Sequence, residues 1–183
     1  TAAAQELHAH GRAVFAVAPT AKAARTIERD TGIPSETVAK LLHEWHRSDR
    51  PPLPEFQLPV GSTLIVDEAG MAGIRDLETL VSATVAAGGR VVLAGDHRQL
   101  PEVTAGGGFA AAAQRASTVA ELTVNRRQVA VWEQTALVEL RGGHVAAAVA
   151  EYRNHGRVVV ADDRTGMLAT AVDRWFEASR SGR

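Results

Sequence analysis

The sequence predicts an α/β fold, a parallel β-sheet flanked by helices, and three observations predict it. Short β-branched runs are apolar almost throughout, as strands buried on both faces of a parallel sheet are. Between them lie stretches whose apolar residues recur at helical spacing. The two kinds alternate along the chain, the pattern of layered α/β proteins built with right-handed crossovers.

The strand candidates in order are residues 13–18, 63–66, 90–94, 119–124 and 157–160. Of these, 63–66 and 90–94 are expected to be inner strands from their continuous apolar character. A helical stripe of Val38, Leu41, Leu42 and Trp45 follows the first strand. A second, Ile74, Leu77, Leu80, Val81 and Val85, is closed by Gly88-Gly89. Val145, Ala148, Val149 and Tyr152 make a third, and Leu168, Ala171, Val172, Trp175 and Phe176 a fourth. Residues 47–62 hold four prolines and read as a surface loop feeding a central strand.

Bulk properties narrow the classes. At 183 residues the chain accommodates one well-buried core, or one domain and the start of a second. It has no cysteine, which excludes disulfides and thiolate metal sites. No apolar run reaches the roughly 20 residues needed to span a bilayer, and the first residues lack a signal-peptide pattern. A cytoplasmic protein without a membrane partner is therefore expected. A formal net charge of -1 does not advertise a nucleic-acid binder, although a local groove escapes that test.

The chemistry is concentrated after two strands. Leu64-Ile65-Val66-Asp67-Glu68-Ala69-Gly70 is an apolar strand ending in two acids. Both carboxylates then lie at the strand's C-terminal end, where open α/β sheets bind ligands. In a nucleotide-driven motor Asp67 would hold Mg²⁺, usually through water, and Glu68 would orient and deprotonate the attacking water. A strand followed by an acidic helix cap is the plainer alternative. The next strand runs into Gly95-Asp96-His97-Arg98-Gln99-Leu100-Pro101. Gly95 permits a tight turn there, and the neutral amide of Gln99 suits a phosphate oxygen or a water.

These two stretches, one strand–helix unit apart, resemble motifs II and III of superfamily 1 DNA helicases of the RecD-like branch. The likeness is nearest to the helicase region of TraA/TraI-type, MobF-class conjugative relaxases. Val17-Ala18-Pro19-Thr20-Ala21-Lys22-Ala23-Ala24 resembles motif Ia, and Thr37-Val38-Ala39-Lys40-Leu41-Leu42 the segment that follows it. The resemblance implies that Pro19, Thr20, Lys22, Thr37 and Lys40 line a path for single-stranded DNA. Asn125-Arg126-Arg127-Gln128 resembles motif IV, so Arg127 would reach the γ-phosphate from across a cleft. Asp67, Glu68, Gln99 and Arg127 are then the catalytic set, with Gly95, Asp96, Arg98 and Gln128 against the nucleotide.

What the resemblance implies is a RecA-like nucleotide-hydrolase fold with ATP and Mg²⁺ as cofactors. It also implies a partial first motor domain over residues 1–124 and the opening of a second over 125–183. The chain contains no Gly-x-x-x-x-Gly-Lys-Ser/Thr loop. In the family that loop precedes the position matching Thr1, so the motor domain is expected to be incomplete at its N-terminus and inactive alone. Implied partners are single-stranded DNA, a conjugation or recombination complex, and a second copy paired through an exposed sheet edge. The alternative is a non-catalytic DNA-binding or scaffold module on the same fold.

Other features carry less. His8-Ala9-His10 imitates a metal pair but lies in an alanine-rich stretch of helical character. Trp45, Trp132 and Trp175 each sit on an apolar stripe, so core packing is expected before base stacking. Gly106-Gly107-Gly108 lacks a following Lys-Ser/Thr and reads as a hinge.

Overall fold

The computed structural model describes residues 11–96, 107–122, 125 and 127–181. They fall in two compact units, residues 1–120 and 121–183. In the first unit four strands form one parallel sheet in the order β2-β1-β3-β4. β1 (Val14–Ala18) lies between β2 (Ser35–Thr37) and β3 (Thr63–Val66), and β4 (Arg90–Leu93) flanks β3.

The pleat divides the core between two faces. On one side Val14, Ala16 and Ile33, with Ile27 and Ile65 beside them, receive α1 (Ala21–Thr31). On the other, Val17, Leu64 and Val66 pack with α2 (Val38–His46) and α3 (Ile74–Ala86) through Leu41, Leu42, Leu77 and Leu80. Leu41, Leu64 and Leu80 are wholly buried. Each such leucine stabilises the fold by about 1.5–3 kcal/mol. Phe56, from a short 3₁₀ turn over Pro54–Phe56, closes this face inside the proline-rich loop, and its carbonyl accepts the Trp45 indole N–H at 2.8 Å.

β3 and β4 are tied where β4 begins. Arg90 N–H donates to Ser62 O at 2.9 Å, and a Cβ on Gly89 would stand 2.6 Å from that same oxygen. Only glycine lets the chain leave α3 this close to β3. α4 (Gly108–Arg115) follows the β4 turn and lays Gly108 against Ile74.

The second unit is helical. α5 (Val131–Arg141) and α6 (Val145–Asn154) pack against each other, and among the described residues of this unit Ala136 and Ala148 are the buried ones. Trp132 stacks on His155 at 3.8 Å between ring centroids and meets Tyr152 edge-on at 5.4 Å. α7 (Arg164–Arg180) starts at Asp163, whose carboxylate accepts the Gly166 N–H at 2.7 Å.

Several sequence expectations are corrected. β4 is not an inner strand: among the described residues it is the sheet's outer edge, with Arg90 and Val92 exposed. An apolar run reports the faces of a strand, not what lies beside it. Residues 119–122 and 157–160 form no strand; Val119, Leu122 and Val160 are largely exposed there. β-Branched residues favour extended backbone, but a strand also needs a neighbour to satisfy its amides, and no described segment supplies one. Conversely β2 was not expected, because Ser35-Glu36-Thr37 is polar; β1 selects it by pairing Ala16 with Ser35 and Ala18 with Thr37. Trp175 is 63% exposed and is not a core residue. Gly107 takes a left-handed φ of 95° as the cap of α4, while Gly106 and the His8-Ala9-His10 stretch lie outside the described residues.

Candidate functional site

Because all four strands run the same way, every following turn emerges on one rim of the sheet. Strand order then sets the layout: Thr37, then Pro19 and Thr20, then Asp67 and Glu68, then Gly95 and Asp96. Neighbouring strands are about 4.8 Å apart, so the whole row spans about 15 Å. Arg98 and Gln99 lie outside the described residues.

Asp67 still belongs to the ladder, its N–H donating to Val17 O at 2.8 Å. One residue later the chain must swing into the 3₁₀ turn over Ala69–Met71, whose first residue bonds to the neighbouring strand's end: Ala69 N–H to Ala94 O, 2.8 Å. Glu68 absorbs the change with φ 49° and ψ 42°, and is the one described non-glycine residue at positive φ. For an L-residue that conformation costs about 1–2 kcal/mol. Such strain, held in place by long-range hydrogen bonds, points to function at this position. Both acids are half-buried, and neither carboxylate makes a hydrogen bond or ion pair among the described residues. They are left available to something else.

The other half of the rim is built from helix starts. Thr20 caps α1, its hydroxyl accepting the Ala23 N–H at 3.2 Å, and Thr37 caps α2 by accepting the Lys40 N–H at 3.2 Å. Neither helix carries an acid in its first turn, so the positive end of the α1 dipole meets no acid of its own helix, whereas at α2 the preceding Glu36 carboxylate accepts the Thr37 N–H at 3.3 Å. Lys22 is exposed beside Thr20. Lys40 is engaged within the protein: its ammonium pairs with Glu36 and lies 5.1 Å above the Phe56 ring. In the second unit Asn125 Oδ1 accepts the N–H groups of Arg127 and Gln128 at 3.0 and 3.4 Å. Gln134 then holds the Gln128 carbonyl at 2.8 Å. This Asn-centred turn presents an exposed Arg127 ahead of α5.

The donor set fits part of a magnesium nucleotide. Among the described residues no three histidine, aspartate or glutamate side chains cluster to hold a metal. Mg²⁺ at Asp67 would draw its other oxygens from water and phosphate, which suits an ion that keeps several waters. The phosphate side is not supplied by these residues, since the 183 contain no phosphate loop.

Gly70 escaped sequence reading, and so did the packing role of Gly95, expected only as a tight turn beside the nucleotide. Gly70 and Gly95 sit in the two turns and pack against backbone, and Phe109 from α4 lies beside both. The signal was present as a glycine in each post-strand turn, but only the distances show that space is what they provide.

A parallel sheet flanked by helices, with paired acids at its C-terminal rim, defines the class of RecA-like nucleotide-binding domains. A family model described as an AAA domain matches residues 1–163, and the chain belongs to that family. It is similar to the probable conjugal transfer protein TraA of Sinorhizobium fredii, 31% identical over 95% of this chain and 15% of that protein. It also resembles the conjugal transfer protein TraA of Rhizobium radiobacter, 35% identical over 75% of this chain and 12% of that one. The ATP-dependent RecD2 DNA helicase of Deinococcus radiodurans is 40% identical over 66% of the chain and 16% of its own length. The resemblance to RecD-like and TraA-type proteins is borne out, and the chain spans only about a seventh of the curated relatives it matches. No described helix is long and apolar enough to cross a membrane.

Proposed function

We propose that this chain is part of the motor of an ATP-driven DNA helicase or translocase, acting in the cytoplasm. The observation that carries the reading is the strained Glu68, beside Asp67, with both carboxylates unpartnered at the rim of the sheet. Asp67 would hold Mg²⁺ through water, and Glu68 would orient and deprotonate the water that attacks the γ-phosphate. When bound, magnesium supplies charge neutralisation at the β- and γ-oxygens. Gly95, Asp96, Arg98 and Gln99 would meet the same nucleotide, Gln99 as part of the catalytic set. Arg127 would add positive charge at the γ-phosphate, with Gln128 beside it.

Single-stranded DNA would lie over the other half of the rim. Two capped helix starts and Lys22 offer amides, hydroxyls and a cation to its phosphates. Lys40 would join them by exchanging Glu36 for a phosphate. The domain division of residues 1–124 and 125–183 belongs to this reading, with the first part carrying Asp67 and Glu68 and the second Arg127. The names of the relatives support a conjugation or recombination complex as the setting. The edge of β4, unpaired among the described residues, supports self-association through a strand of a second copy.

Calorimetric titration with ATP and Mg²⁺ tests the reading on the 183-residue chain and on one extended upstream through a phosphate loop. The chain alone should bind weakly or not at all and should not hydrolyse ATP, because two carboxylates without a cationic cradle repel a triphosphate. Comparable micromolar binding by both would overturn the reading. In the extended polypeptide Glu68→Gln should cut hydrolysis by about 10²–10⁴-fold while nucleotide binding persists. Arg127→Ala should also slow turnover strongly.

A further inference from the structure

The turns after β3 and β4 meet backbone to backbone. A Cβ on Gly95 would lie 3.1 Å from Ala69 N, 3.2 Å from Gly70 N and 3.4 Å from Phe109 Cε1. A Cβ on Gly70 would lie 3.4 Å from the Asp96 carbonyl oxygen and 3.9 Å from Phe109 Cδ1. Neither glycine is in the left-handed region, so alanine has a permitted backbone at both positions. What crowds a side chain at Gly95 is room: its neighbours would have to give by a few tenths of an ångström, and they are backbone amides that cannot swing aside as a flexible side chain would.

Those amides belong to the two residues that follow Glu68. On its N-terminal side Glu68 is anchored by the Asp67 N–H on Val17 O. On its C-terminal side the anchors are Ala69 N–H on Ala94 O and Met71 N–H on the carbonyl of Glu68 itself, each 2.8 Å. The first of these C-terminal anchors exists only if the β4 turn approaches this closely. A strained residue relaxes as soon as either side of its clamp opens.

We propose that Gly95 is a positioning residue for Glu68: its missing side chain seats the β4 turn on the Ala69 and Gly70 amides, and that seat holds Glu68 in its left-handed conformation. This rests on the reading of Glu68 as the base, and it moves Gly95 from a nucleotide contact to a support beneath the acid. Gly70 completes the seat from the opposite side, and Phe109 closes its flank.

Two measurements test it with Gly95→Ala. In the 183-residue chain, exchange of the Ala69 amide hydrogen should quicken by about tenfold or more, while Thr63 N–H, bonded to Ala13 O at 2.8 Å, keeps its protection. General destabilisation would instead raise both together. In the extended polypeptide kcat should fall by about tenfold or more, with KM for ATP within about twofold, as for a group acting through the transition state. Gly70→Ala, whose Cβ has 3.4 Å rather than 3.1 Å, should give the same pattern more weakly, and serves if Gly95→Ala fails to fold. Unchanged Ala69 exchange, or a rise matched at Thr63, overturns the proposal. So does normal turnover in Gly95→Ala when Glu68→Gln is inactive. Full turnover in Glu68→Gln would instead remove the base assignment, leaving the Ala69 exchange to decide whether Gly95 sets the turn.

Discussion

Replacing Glu68 by glycine should make the protein more stable while removing the residue proposed to do its chemistry. Glu68 sits at φ 49° and ψ 42°, where an L-residue is strained by about 1–2 kcal/mol and glycine is not. Against that relief stands the extra freedom glycine gains in the unfolded chain, about 0.5–1 kcal/mol relative to alanine. The carboxylate makes no hydrogen bond or ion pair among the described residues, so little else is lost. The balance is a gain of about 0–1.5 kcal/mol for Glu68→Gly. Glu68→Ala keeps the Cβ and the strain, and should stay within about 0.5 kcal/mol of the wild type. Urea unfolding of the three proteins reads this as a shift in midpoint at constant m. In the extended polypeptide both variants should lose hydrolysis, so stability and activity part company only in the glycine. A Glu68→Gly protein less stable than Glu68→Ala by about 0.5–1 kcal/mol, the glycine chain-entropy cost with nothing set against it, would show that residue 68 is unstrained, and would remove the main support for a functional site here.

The remaining predictions concern the rim, the core and one surface pair. Lys22→Ala should weaken single-stranded DNA binding and reduce the slope of log K against log salt by about 0.7, the loss of one phosphate contact; an unchanged slope would take Lys22 out of the path. Leu80→Ala, deleting a wholly buried side chain between α3 and the sheet, should cost about 2–5 kcal/mol in the same urea assay. The Arg47 guanidinium hydrogen-bonds the Asp49 carboxylate and lowers its pKa from 3.8 to about 2. A depressed carboxylate stabilises the fold above its ordinary pKa, and that contribution fades as pH falls from about 4 toward 2. An NMR titration of Asp49 should move back toward 3.8 in Arg47→Ala.

Much of the fold was legible in the chain because the signals are short-range. Residues 63–66 read as a strand from four apolar or β-branched neighbours, and the α2 and α3 stripes from their spacing; those patterns survive whatever lies around them. Asp67 and Glu68 were visible for the same reason, being the acids at the end of an apolar strand. The layout of the rim also followed from sequence once the strands were parallel, since polarity alone puts Thr20, Asp67 and Gly95 at one end.

Tertiary structure decided what depends on neighbours distant in sequence. β2 is a strand because β1 offers it a ladder, although its own residues are polar. Residues 119–122 and 157–160 have strand composition but no described partner, and stay irregular. β4 has the apolar run of an inner strand and an outer place in the described sheet. Glu68 is left-handed because Val17 and Ala94, some fifty and twenty-six residues away, hold the amides on either side of it. Gly95 is needed for the space it leaves, and that shows only when the Ala69 and Gly70 amides are seen 3.1 and 3.2 Å from its missing Cβ. Residue type and spacing record what a segment can become; hydrogen-bond partners and room are properties of the assembled chain, and they fixed the geometry of the acid on which the proposed function rests.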